Sequence, residues 1–120
     1  RDMSSVTFTL PMPPSVNALH RATRKQKGVY ISPVYKAWLL EAGMKLNVQR
    51  VPEIDPPYVI EYAVGRPDKR RRDVTNLVKA MDDALQSQGV ITDDCHVDDS
   101  RIYWCPQQEA GTVKVTVRTA

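Results

Sequence analysis

Four short stretches of alternating apolar residues, with two helix-spaced segments set between them, predict an α/β or α+β domain. The expected architecture is a small mixed β-sheet of about four strands with two main helices. The 120 residues fit one domain, 1–120, long enough to bury a core without staples. With 42% hydrophobic and 26% charged residues, the composition is that of an ordinary globular protein rather than a disordered one. Arg1 and Asp2 precede Met3, which reads as the native start, and they are set aside.

Each element has a local reason. Val6, Phe8 and Leu10 alternate with Thr7 and Thr9, a half-buried strand that Pro11 ends. Pro13-Pro14-Ser15-Val16-Asn17 reads as a rigid turn, and residues 21–28, with cations at Arg21, Arg24, Lys25 and Lys27, as a basic loop or hairpin tip before Val29-Tyr30-Ile31. Ser32-Pro33 starts a helix: the serine hydroxyl caps free N–H groups, and proline at the first position sacrifices no needed donor. Tyr35, Trp38, Leu39, Ala42 and Leu46 then form its core-facing stripe. The stretch 51–57 carries three prolines and reads as a linker.

Tyr58, Ile60, Tyr62 and Val64 make a second strand buried mainly on one face. A second helix is expected from about Thr75 to Gln88, stopped by Gly89, with Leu77, Met81, Ala84 and Leu85 inward. Asn76, Lys79 and Asp83 share its opposite side. Ile102 to Trp104 suggests a third strand. Val113, Val115 and Val117 mark a fourth, expected to pair with the third as a terminal hairpin.

Charge location says more than the mild net charge of +3. The run Arg66-Pro67-Asp68-Lys69-Arg70-Arg71-Arg72 meets a stretch holding Asp73, Asp82, Asp83, Asp93, Asp94, Asp98 and Asp99, half of the 14 acidic residues. Cations attract a polyanion, and clustered aspartates repel it unless a divalent cation lies between them. Metal-dependent cleavage of nucleic acid needs both. Asp73 alone reads as a helix cap. The cations just before it and the pair Asp93-Asp94 beyond the same helix make it a candidate Mg²⁺ ligand together with Asp94. Lys79 has two open readings, an exposed partner of Asp83 or a cation that stabilises charge on phosphate. Asp98 and Asp99 read as a solvated strand edge. There is no Ser-His-Asp set and no glycine-rich phosphate loop.

Cys95 and Cys105 are the only cysteines, and with His20 and His96 they match no paired zinc-ligand spacing, so free thiols are expected. No signal peptide or spanning stretch is evident. The expectation is a cytoplasmic protein with no membrane partner.

The ordered set Pro13-Pro14-Ser15-Val16-Asn17, the basic run with Asp73-Val74-Thr75-Asn76-Leu77-Val78-Lys79-Ala80, Asp83-Ala84-Leu85 and Asp93-Asp94 resembles the RusA family of Holliday-junction resolvases over nearly the whole chain. The resemblance implies a small α/β subunit, working as a homodimer with Mg²⁺ or Mn²⁺. It would nick opposing strands of a four-way DNA junction in recombination and repair, in a bacterium, prophage or phage. It further implies Asp73, Lys79 and Asp94 as catalytic residues, with Asp73 and Asp94 holding metal. Asp93, or alternatively Asp83, is the candidate further metal ligand where this chain lacks a carboxylate of the family pattern. Lys69, Arg70, Arg71 and Arg72, with Arg21, Arg24, Lys25 and Lys27, are the expected phosphate contacts. The departure is Thr75, where the family pattern has aspartate. That neutral hydroxyl motivates a second reading, a branched-DNA-binding protein with slow or no cleavage. A third is a generic nucleic-acid-binding domain whose acids only cap helices.

Overall fold

A computed structural model of the chain describes residues 4–14, 20–22 and 29–120, with backbone alone at 20–22 and 29–31. Residues 15–17 of the turn expected at 13–17 and the cations Arg24, Lys25 and Lys27 lie outside the described residues. Strands β1 (Ser5–Pro11), β4 (Tyr58–Val64), β5 (Val97–Trp104) and β6 (Thr112–Thr119) form one mixed sheet in the order β1-β6-β4-β5. β2 (His20–Ala22) and β3 (Val29–Ile31) form a separate antiparallel pair, which puts Arg21 on the first strand of a hairpin. Helices α1 (Pro33–Val48) and α2 (Val78–Ser87) complete the predicted architecture of four sheet strands and two helices.

Register explains the core. Phe8 faces Val115, which faces Tyr62; Leu10 faces Val113, which faces Val64. These side chains are buried in rows across one face, and the inward stripes of both helices join the same cluster: Tyr35, Trp38, Ala42 and Leu46 from α1, Met81, Ala84 and Leu85 from α2. The opposite face is polar, with Thr7 and Thr116 hydroxyls 3.2 Å apart and the Tyr103 hydroxyl donating to Glu61 at 2.8 Å. A sheet covered by helices on one face only is an α+β arrangement. Ser32 caps α1 as its sequence predicts, its hydroxyl accepting from the Tyr35 amide at 3.2 Å.

The terminal hairpin does not form. β4 lies between β5 and β6, parallel to the first and antiparallel to the second. The physical reason is burial: β4 carries the sheet's most apolar stretch, so it occupies an interior position, and charged β5 takes the edge. Residues 105–111 arch over the end of β4, with Cys105 N–H donating to Val64 at 2.7 Å and Gly111 N–H to Gly65 at 2.9 Å. Gly65 has no room for a side chain, since a Cβ there would fall 1.9 Å from the Glu109 carbonyl oxygen. β5 also starts earlier than its apolar residues suggest, and Asp98 and Asp99 are exposed on it as expected.

Candidate functional site

Among the described residues, the candidate site's charged groups lie in the excursion between the parallel strands β4 and β5. Asp68 shapes the basic run. Its carboxylate accepts from the Arg70 amide at 3.0 Å and from the Arg72 guanidinium at 2.8 Å. Those contacts, Arg72 foremost, hold its carboxyl well below the usual range, at about 2. Arg72 is thereby fixed, whereas Lys69 and Arg71 have no hydrogen bond or ion pair among the described residues.

Asp73 follows directly and caps a 3₁₀ turn, Val74–Leu77, that leads into α2. Its Oδ1 accepts from the Thr75 amide at 3.1 Å and from the Thr75 hydroxyl at 2.7 Å. The capping role expected for an isolated aspartate is therefore real, and Thr75 is the residue capped. A cavity of about 220 Å³ opens beside it, between Met12, Arg71, Arg72, Asn76 and Trp104. Arg66 lies over the Trp104 ring, 4.3 Å from its centroid.

One turn further on, Lys79 joins the second half of the site. Its Nζ is 3.1 Å from Asp83 and 3.9 Å from Asp94. The segment after Gly89 does turn back along α2, tied by the Asp94 amide donating to Gln86 at 3.2 Å. It brings Asp94 to Lys79. Asp93 caps its own 3₁₀ turn, Asp94–His96, accepting from the Cys95 amide at 2.9 Å, and that bond lowers its pKa. Among the described residues no group of three or more His, Cys, Asp and Glu is arranged to hold a metal ion, and Cys95 and Cys105 are free thiols.

Two supporting tyrosines and one acid escaped the sequence reading. The Tyr35 hydroxyl donates to Asp83 at 2.9 Å, fixing the carboxylate that meets Lys79. The Tyr62 hydroxyl, buried in the sheet, donates to Asp82. Burial pushes Asp82 up to about 6, with the charges of Asp94 and Asp83 adding to the shift. The pKa of Lys79 is raised too, by its bond to Asp83, which keeps the ammonium charged. The sequence marks Asp82 only as one of the clustered aspartates, and nothing along the chain marks it as buried.

The sequence model of the family described as Endodeoxyribonuclease RusA matches residues 11–118. The chain belongs to the RusA family. A RusA-family relative in Escherichia coli K12, named crossover junction endodeoxyribonuclease RusA, is 31% identical over 96% of this chain and 95% of its own length. Proteins of the same name in Shigella sonnei and Enterobacteria phage 82 are each 30% identical over the same shares. The RusA match takes in both halves of the site, the Asp68–Asp73 segment and the Lys79–Asp94 cluster. No helix among the described residues is long and apolar enough to cross a membrane.

Proposed function

We propose that this RusA-family chain is a Mg²⁺-dependent endonuclease that resolves four-way or related branched DNA by paired nicks, acting as a homodimer in the cytoplasm of a bacterium or phage-infected cell. The observation that carries the reading is the Lys79 ammonium held between Asp83 and Asp94, on the helix that Asp73 and its basic run lead into. The carboxylates of Asp73, Asp93 and Asp94 offer hard oxygens, the chemistry Mg²⁺ takes, and the charges of Asp94 and Asp83 add to the burial that raises the pKa of Asp82. Asp73 and Asp94, with Asp93, would hold the ion. When bound, it supplies Lewis-acid polarisation of a phosphoryl oxygen and a more acidic water.

The chain's own residues do the rest. Arg70, Arg71, Arg72 and Lys69 draw in the phosphates. Water adds to phosphorus, one P–O ester bond breaks and the leaving oxygen takes a proton, while Lys79 offsets the charge that builds on the phosphoryl oxygens. Asp83, anchored by Tyr35, keeps the ammonium aimed. Homodimerisation is supported by the outward face of α1, where Val34, Leu40, Met44 and Val48 are all exposed along one helix. A two-fold pair of sites suits a two-fold junction.

The test is an immobile four-way junction incubated with the purified chain and Mg²⁺, Mn²⁺ or EDTA. Symmetric nicks in opposing strands with either metal, and none with EDTA, are expected. A junction bound tightly yet intact with both metals overturns the nuclease reading in favour of a branched-DNA-binding protein, which Thr75 in place of a carboxylate would then explain.

A further inference from the structure

We propose that the cavity beside Asp73 receives one unpaired nucleobase at the branch point, stacked against Trp104 and read by Asn76. The inference rests on the branched-DNA nuclease reading and adds to it a determinant of where the strand is cut.

Size sets the class of ligand. At about 220 Å³ the cavity falls short of the roughly 300–1,000 Å³ that drug-sized ligands fill, and it suits one flat ring better than a base pair. The walls supply the parts a nucleotide needs. Trp104 offers an aromatic surface and Met12 a polarizable one. The Asn76 carboxamide presents a donor and an acceptor side by side, the pattern that pairs with a base edge. Arg71 provides a guanidinium for the adjoining phosphate.

Two of these groups are uncommitted. Among the described residues neither Asn76 nor Arg71 makes a side-chain hydrogen bond or ion pair, whereas neighbouring Arg72 is tied to Asp68. Arg66 lies over the Trp104 ring and is not among the residues that line the cavity, so it steadies the indole from outside. Asp73 forms part of the same wall, which places a captured base next to the phosphate to be cut.

The DNA chemistry agrees. A stacked duplex base is costly to extrude, and a base at a branch point has already lost stacking order, so the pocket takes its ligand where extrusion costs least. Stacking on Trp104 tolerates any base, so it provides grip. The amide of Asn76 distinguishes edges, so it provides preference.

Two measurements test this. With EDTA present, the full chain is bound to four-way junctions carrying 5-iododeoxyuridine at successive positions, irradiated, and the crosslinked peptide identified by mass spectrometry. A crosslink to Trp104 from positions flanking the branch point, and not from the arms, is expected. Next, wild type and Asn76→Ala are given junctions with all sixteen dinucleotides at the branch point. The spread between best and worst cleaved should shrink about fivefold or more in the variant, the lower end of what one bidentate base contact discriminates. Asn76 is exposed, so the variant should keep its fold, which circular dichroism verifies. No crosslink to Trp104, or an unchanged dinucleotide spread, overturns the pocket. A Trp104 crosslink with no cleavage of any junction supports the pocket and sinks the nuclease reading instead.

Discussion

The Thr75 hydroxyl donates a 2.7 Å hydrogen bond to Oδ1 of Asp73, the oxygen that also accepts from the Thr75 amide. Threonine thus holds the aspartate from the place where the family pattern has a second carboxylate. Thr75→Asp trades that bond for repulsion, so the metal-free variant should melt lower, by about 1 kcal/mol of lost stability. Added Mg²⁺ should raise its melting temperature more than that of the wild type, because an extra carboxylate tightens binding. Thermal melts across a Mg²⁺ titration measure this. An equal response in both proteins would place residue 75 away from the cation.

Lys79 tests the catalytic half. Its ion pairs are exposed, so losing them should cost under about 1 kcal/mol of stability. Lys79→Met should nevertheless slow junction cleavage by roughly 10²–10³-fold, the scale seen when one charge-stabilising donor is removed. Junction affinity should fall only a few-fold. Single-turnover cleavage and gel-shift binding separate the two, and equal losses in both would reduce Lys79 to a phosphate contact.

Asp82 predicts a pH dependence. Its folded pKa, about 6, lies above the ordinary value of 3.8, so the native state holds the proton more tightly than the unfolded chain. Its contribution is therefore fullest below pH 3.8 and is lost as pH rises to about 6. Asp82→Asn keeps an oxygen acceptor for Tyr62 and removes the titration. Urea unfolding should find the variant level with wild type near pH 4 and more stable near pH 7.5, by about 2–3 kcal/mol at most. A difference that does not change with pH would contradict the assignment.

Arg71 and Arg72 differ in how far they are already committed. Arg71→Ala should lower the log-log salt slope of junction binding by about 0.9 per protomer, about 1.8 for the bound homodimer. Asp68→Ala frees Arg72 from its 2.8 Å bridge, and the resulting loss of order should weaken binding without removing a charge contact. Binding isotherms from low to moderate salt distinguish a changed slope from a changed intercept.

Much of this was legible along the chain because its causes are local. Ser32-Pro33 sets the start of α1, the inward stripes of both helices follow from spacing, and Asp73 beside the basic run announces phosphate chemistry. What was hidden depends on partners far apart in sequence. β5 begins at Val97 because β4 supplies its hydrogen bonds, although Asp98 and Asp99 carry no apolar signal. The insertion of β4 between β5 and β6 reflects competition for burial among strands, which no single stretch reveals. Asp82 looks like any solvated helix acid until Tyr62, on strand β4, closes over it. Asp83 acquires its anchor only when α1 brings Tyr35 across to α2.

Parallel pairing of β4 with β5 has a further result. A chain that leaves one strand and returns to run alongside it must make a long detour, and here that detour, 65–96, carries the Asp68 turn, Asp73, Lys79, Asp82, Asp83 and Asp94. The chemistry is therefore a cassette, contiguous in sequence and attached to the sheet at two neighbouring strand ends. Transplanted between two parallel strands of another scaffold, it would bring all of its charged groups along. The host would need to provide an apolar surface for the inward face of α2, two hydroxyls in the places of Tyr62 and Tyr35, and the Met12 and Trp104 walls of the cavity.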